Sequence, residues 1–231
     1  MTRPVDRRAR TPTWVGTAWF GPWWLVYRGP VGVTAAHAHH ALQAVLADSV
    51  DLLVGSERRS APTVVPPNTV HRVATAADDA TLVYVDGDLA RQSPAAPLDR
   101  WSRHPAPTTW AAAAALAQAV CPLRSGAEPE SAVVRAARFA LADPDDGRSI
   151  EELAAHVGVS PSRLSHLFTA SVGTPMRSYR RWQRLLLAAE AIAGGARLTE
   201  AAHAAGFADG PHLARTFRDH FGLSVTELTS G

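Results

Sequence analysis

Apolar residues change their rhythm near the middle of this chain. From Trp23 to Asp88 they come in short runs closed by turn signals. Trp23–Tyr27 meets Gly29-Pro30, Leu42–Ala47 meets Asp48-Ser49, and Val50–Val54 meets Gly55-Ser56. Thr63–Val65 meets Pro66-Pro67-Asn68, and Thr81–Val85 meets Asp86-Gly87-Asp88. Runs of this length between Gly, Pro, Asn and Asp predict an all-β sandwich or barrel. Residues 1–22 show no clear period and read as a loose arm. Residues 90–107 carry Pro94, Pro97, Pro105 and Pro107 and read as a linker. Thr108 or Thr109 can then cap an Ala-rich helix, Trp110 to Val120, and Ser125-Gly126 makes a second break.

From Pro129 onward the period is 3.6, and short helices are separated by Gly and Pro. Ser149 followed by Glu152 forms a capping box for a helix from Ile150 to His156. Leu153 and Val157 share its inner face, and Ala154 permits close approach of a second helix. Gly158 supplies a turn, Ser160 caps the next helix, and Pro161 takes its first position, where a missing N–H is harmless. Leu164, Leu167 and Phe168 face inward there, leaving Ser162, Arg163, Ser165, His166 and Thr169 outward. This is helix, glycine turn, helix, with a polar outer face suited to a major groove.

The pattern recurs. Thr199 can cap Glu200 to Ala205, Gly206 supplies the turn, and Asp209-Gly210-Pro211 opens the next helix. Leu213, Phe217 and Phe221 point inward; His212, Ala214, Arg215 and Arg218 point outward. A helix from Met176 to Ala193 joins the two units. At about 1.5 Å per residue it spans roughly 27 Å, against about 34 Å between successive major-groove faces. Arg180, Arg181 and Arg184 on it are placed to meet phosphates rather than bases.

Composition sharpens this only locally. The 231 residues are 46% hydrophobic and 19% charged, an ordinary globular balance for two domains. No apolar run reaches the roughly 18 residues of a membrane span. The first ten residues lack the apolar stretch of a secretory signal, so a cytoplasmic location is expected. Cys121 is the sole cysteine, which excludes intrachain disulfides and cysteine-cluster zinc sites. Every basic residue is Arg, and the net charge is only +2. Residues 128–231 hold 11 Arg against 12 acidic residues, yet residues 160–189 carry Arg163, Arg177, Arg180, Arg181 and Arg184 with no acid. A local stripe of this kind serves DNA binding better than a domain average.

Residues from about 130 to 231 resemble the DNA-binding domain of the AraC/XylS family of bacterial transcription regulators. The resemblance rests on the stretch Ser149 to Phe168, on Gly173, Pro175, Tyr179, Arg184 and Ala188, on Ala205 to Asp209, and on Leu213, Arg215, Phe217 and Phe221 to Ser224. It implies seven helices, two groove-entering helices per chain, and promoter DNA as the partner. The family's base-facing positions fall on Ser162, Ser165 and His166, and on Gly210, Pro211, His212, Ala214 and Arg215. The chain departs from the family near its end. Val225 and Leu228 replace a Pro and a Tyr, which predicts a short or loosely packed final helix. Gly210-Pro211 offers no side-chain hydrogen bonds, so Arg215 and His212 are expected to do most of the reading there.

In the N-terminal half, His37-Ala-His39-His40-Ala-Leu-Gln43 and Pro66-Pro67-Asn68-Thr-Val-His71 resemble the two motifs of cupin barrels. Residues i and i+2 on a strand share a face, so His37 and His39 can both point inward. The resemblance implies a metal held by His37, His39, Gln43 and His71; imidazole suits Zn, Fe, Ni or Cu. Gln43 stands where the family has Glu, and His40 becomes the inward residue if the register differs. The cluster is therefore open to three readings: a metal site, a cavity for an organic ligand, or a structural histidine group. Trp19, Trp23, Trp24 and Tyr84 can line an apolar pocket.

The expected architecture is α+β multidomain. A cupin-like β-barrel sensor domain spans 1–105, a linker with the Ala-rich helix spans 106–127, and an all-α domain with two helix-turn-helix units spans 128–231. The expected function is ligand- or metal-controlled promoter binding with no catalytic residue. The Ala face of residues 110–120 is a candidate homodimer contact, and RNA polymerase is a partner if the protein activates. The alternative is a cupin metalloenzyme, a dioxygenase or isomerase, with an accessory helical domain.

Overall fold

The computed structural model describes residues 16–92, 95–122, 131–172, 174–222 and Val225. The strands are β1 (Thr17–Phe20), β2 (Trp24–Val31), β3 (Leu42–Leu46), β4 (Asp51–Val54), β5 (Glu57–Ser60), β6 (Thr63–Val65), β7 (His71–Val73) and β8 (Ala77–Val85). They form a five-stranded sheet, order β1-β2-β8-β3-β6, and a three-stranded sheet, order β5-β4-β7, with antiparallel pairing throughout.

The larger sheet is buried on both faces, which explains why its sequence runs are continuously apolar. Leu25, Tyr27, Val45, Leu82 and Tyr84 turn inward toward Leu52, Val54 and Val73 of the smaller sheet. Trp24, Val26, Leu42, Ala44, Val83 and Val85 alternate with them and face outward onto helices. Those helices are α1 (Gly87–Gln92), α2 (Leu98–Trp101) and α3 (Trp110–Val120).

Three expectations are corrected here. Thr17–Phe20 is not a loose arm but an edge strand paired with Leu25–Arg28; residues 1–15 lie outside the described residues. The stretch 90–107 is not a plain linker, because α2 packs on the sheet and fully buried Trp101 donates from Nε1 to the Ala96 carbonyl at 2.9 Å. Pro94 and the Ser125-Gly126 break lie outside the described residues. The helix from Trp110 is capped by Thr109, whose hydroxyl accepts from Ala112 N at 3.2 Å. It belongs to the sheet domain: its Ala113, Leu116 and Ala117 are buried against the outer sheet face, so that Ala face is occupied within the chain. Buried Cys121 closes the helix, its thiol pushed up to about 11 by burial.

The helical half contains α4 (Ala132–Ala142), α5 (Ile150–His156), α6 (Pro161–Val172), α7 (Met176–Ala193), α8 (Leu198–Ala204) and α9 (Gly210–Phe221). These are the helices among the described residues; Gly173, Leu223, Ser224 and Leu228, named in the family resemblance and its departures, lie outside them. The core is divided unequally. Val134, Ala137, Leu141, Leu153, Leu164, Phe168 and Tyr179 make one cluster within α4–α7. Trp182, Leu185, Ala201, Leu213, Phe217 and Phe221 instead join the inner residues of the sheets in a single cluster. The second helical unit thus shares its core with the N-terminal domain. No helix of the described residues is long and apolar enough to cross a membrane.

Candidate functional site

Local chemistry sets each helix of the first unit. Ser149 Oγ accepts from Glu152 N at 3.2 Å, and Glu152 Oε2 accepts from Ser149 N at 2.7 Å, which starts α5. Gly158 takes φ +73°, a left-handed turn that a β-carbon resists. Ser160 Oγ then accepts from Arg163 N at 3.2 Å and starts α6. On α6, Leu164 and Phe168 are buried, Ser162, Arg163 and His166 are exposed, and Ser165 and Thr169 are half-buried.

The second unit repeats the geometry. Gly206 also takes φ +73°, and Asp209 Oδ1 accepts from His212 N at 2.6 Å to start α9. One detail is corrected: α8 begins at Leu198, and Thr199 lies inside it. Glu200 starts the helix by accepting from the Arg197 backbone N at 3.0 Å while its other oxygen takes the guanidinium. On α9, Leu213 and Phe217 are buried, Ala214 is half-buried, and Pro211, His212, Arg215 and Arg218 are exposed; Gly210 is buried.

The connecting helix α7 runs from Met176 to Ala193, 18 residues. Its arginines are not equivalent. Arg181 is exposed, whereas Arg180 and Arg184 are half-buried. Arg180 donates to the Arg148 carbonyl at 2.7 Å. The Arg184 guanidinium lies across the second turn, where a β-carbon on Gly206 would stand 3.2 Å from it. Together with Arg177, which the sequence placed in the basic stripe but not in the site, they line a cavity of about 420 Å³ that reaches His212.

Beneath the second unit lies the histidine group. His37 and His39 do not sit on a regular strand; they precede β3, and His37 pairs with His71 through an isolated antiparallel bridge. The bridge bonds, 2.9 Å from His37 N and 2.8 Å from His71 N, bring the two loops together. One donor atom each of His37, His39 and His71 then lie within 4.8 Å of one another. Each ring is oriented by a backbone carbonyl at 2.9 Å from Nδ1: Ala35 for His37, Ala41 for His39, Thr69 for His71. Nδ1 therefore carries the proton, and the Nε2 lone pairs are free for a ligand. Burial holds His39 and His71 each down at about 4.

Gln43 is buried and pairs with the same group. Its Oε1 stands 3.2 Å from His39 Nε2, and its Nε2 donates to Tyr84 Oη at 3.2 Å. A neutral His39 has no proton left at Nε2, so two lone pairs face each other there. A cation between them satisfies both; so does the amide turned over. His71 Nε2 is buried with no hydrogen-bond partner. These residues fit a metal. His40 faces away from the group, which resolves the register in favour of His39. Of the aromatic residues expected around an inner pocket, only Tyr84 points inward. Trp19, Trp23 and Trp24 pack on the outer helical side, because strand alternation puts Trp24 opposite Leu25.

The helical half closes over this group. His40 N and Ala41 N donate to the carbonyls of Asp219 and His220 at 2.8 and 3.2 Å, satisfying groups that the end of α9 leaves without helical partners. Trp182 Nε1 and Gln183 Nε2 donate to the Gly21 and Pro22 carbonyls, both at 3.1 Å. Phe221 meets Tyr84 edge-on at 5.7 Å. No local sequence signal marks these contacts, because they join residues distant in the chain.

The helical half therefore carries two helix-turn-helix units on one connecting helix, joined to a sheet domain. Residues 153–230 match the family described as a helix-turn-helix domain. The HTH-type transcriptional regulator RipA of Corynebacterium glutamicum is 34% identical over 95 residues, 41% of this chain and 29% of RipA. The match thus spans under a third of that relative's length. Among solved structures, a probable AraC family transcriptional regulator from Rhodopseudomonas palustris is 30% identical over 43% of this chain and 96% of its own, with a TM-score of 0.38. ToxT from Vibrio cholerae aligns over 90% of this chain and 99% of its own, with a TM-score of 0.51 at 8% identity, a likeness of fold across both halves. Residues 153–230 thus carry a helix-turn-helix domain, and the helical half is similar in sequence to that of a known transcriptional regulator.

Proposed function

We propose that the chain is a sequence-specific transcription regulator of the bacterial cytoplasm that binds promoter DNA. The observation that carries this reading is the pair of matched units, each with a buried apolar seam and an exposed polar face, on a single 18-residue helix. Ser162, Arg163 and His166 serve the first groove segment, with Ser165 and Thr169 at its edge. Arg215, His212 and Arg218 serve the second. Arg181 meets phosphate. A homodimer, and RNA polymerase in the case of an activator, are the further partners.

The sheet domain acts as a cupin-like sensor, and its effector is a divalent transition metal, Zn, Fe, Ni or Cu. Three convergent Nε2 atoms oriented by carbonyls favour an ion. Tyr84 stands edge-on to His39 at 5.7 Å and to Phe221 at 5.7 Å, which disfavours a larger organic ligand. His37, His39 and His71 hold the ion, with Gln43 beside them; it supplies charge that fixes the loops beneath α9. A metalloenzyme reading requires substrate access, and Phe221 and Gly222 lie across the approach.

The test is a mobility shift on the gene's own upstream DNA over a range of salt concentrations. Binding that weakens steeply with salt supports the reading. Absence of a shift at every salt concentration, with and without metal, refutes it. Separately, unchanged metal content and DNA response in the His37→Ala/His71→Ala variant removes the metal effector from the proposal.

A further inference from the structure

His40 turns away from the triad and toward the domain boundary. There one donor atom each of His40, Asp86 and His220 lie within 4.8 Å of one another. Asp86 is 1% exposed and His220 3%. His40 Nε2, Asp86 Oδ2 and His220 Nε2 are all buried and all without a hydrogen-bond partner. Buried polar atoms are rarely left unpaired, and three that converge on one point call for a common occupant.

The two oxygens of Asp86 divide the work. Oδ1 accepts from Asp88 N and Leu89 N at 3.0 Å each, which starts α1, and from the Thr174 hydroxyl at 3.1 Å. Oδ2 accepts no hydrogen bond. The two imidazole rings stand 5.0 Å apart at 35°, and the backbone bonds from His40 and Ala41 to the end of α9 hold them there. Asp88 lies nearby, 3.6 Å from His40 Nε2, but is paired with Arg91 and with Ser178. Two imidazoles and one carboxylate are a donor set for zinc and its neighbours, with a position left open. Bonds of about 2.0–2.2 Å ask the donors to draw closer together.

We infer that His40, Asp86 and His220 form a second binding site for a divalent transition metal, separate from the barrel triad, that pins the second reading helix to the sheet domain. The site takes ligands from the segment before β3, from the end of β8 and from α9, so it exists only while the two halves are docked.

The experiment uses the full-length chain with Zn²⁺ as the probe, measuring bound zinc per chain and the zinc-induced rise in melting temperature. The His37→Ala/His71→Ala variant isolates this site. It is expected to bind one zinc per chain and to melt higher with zinc. Adding His220→Gln or Asp86→Asn to it should abolish both effects. Circular dichroism checks folding. Should the His220→Gln protein fail to fold, Asp86→Asn decides, because an amide oxygen still accepts the bonds at the start of α1. A folded His37→Ala/His71→Ala protein that binds no zinc overturns the inference, as does zinc uptake that survives Asp86→Asn. One zinc in the wild type that is retained without the triad upholds this site and removes the barrel metal instead.

Discussion

A β-carbon on Gly222 would stand 2.5 Å from Nε2 of His37. Gly222 caps α9 in the left-handed region, φ +72°, donating its N–H to Arg218 at 2.7 Å. The end of the second reading helix therefore rests directly on the histidines of the sheet domain. Gly222→Ala is expected to lower unfolding free energy by at least about 1–2 kcal/mol through the backbone alone, with further loss from the contact. Urea unfolding measures it, and a midpoint equal to wild type would show that α9 does not dock there.

The two arginine classes should separate on DNA. Arg215→Ala is expected to cost about 1–3 kcal/mol and to relax base preference under the second unit. Arg181→Ala is expected to weaken binding to all sequences alike and to flatten the salt dependence by about one phosphate. Titrations on matched and scrambled duplexes distinguish them. Equal, uniform losses from both changes would mean the roles are wrongly assigned.

The Ser149–Glu152 box is a structural device rather than a reading one. Ser149→Ala should reduce stability by about 1 kcal/mol while leaving the salt slope of DNA binding intact. A changed slope at unchanged stability would place Ser149 at the DNA instead.

Much of the helical half was legible because its signals are local. Ser149, Gly158, Ser160, Gly206 and Asp209 each fix a start or a turn through their own neighbours, and the α7 boundaries followed from uninterrupted periodicity. The sheet domain was less legible where its strands are short or polar. β5, Glu-Arg-Arg-Ser, carries no apolar signal; it forms because Arg58 and Ser60 bind Asp51 across the hairpin at 2.9 and 2.7 Å. The triad residues were visible through their resemblance to the cupin motifs, but what orients them, and what Gly222 and Phe221 do above them, depends on residues distant in the chain. His40, Asp86 and His220 are similarly scattered, and only the docked fold brings them together.

Acid should loosen the sheet domain. Burial keeps His39 and His71 at about 4, against about 6.5 for an unfolded imidazole. As pH falls between those values the unfolded chain takes up protons that the folded chain refuses. The stability is complete above about pH 6.5 and declines toward about pH 4. Metal-free protein is expected to melt progressively lower over that range, and His39→Gln should decline less. A flat profile for the wild type would contradict the neutral, carbonyl-oriented rings described above.

One chain is expected to set two reading helices into neighbouring groove segments. Hydroxyl-radical footprinting of the full-length protein on its own upstream DNA tests this most directly. Two protected patches about one helical turn apart on the same face of the duplex are predicted, with Arg215→Ala weakening one of them selectively. A single patch, or protection on opposite faces, would contradict it.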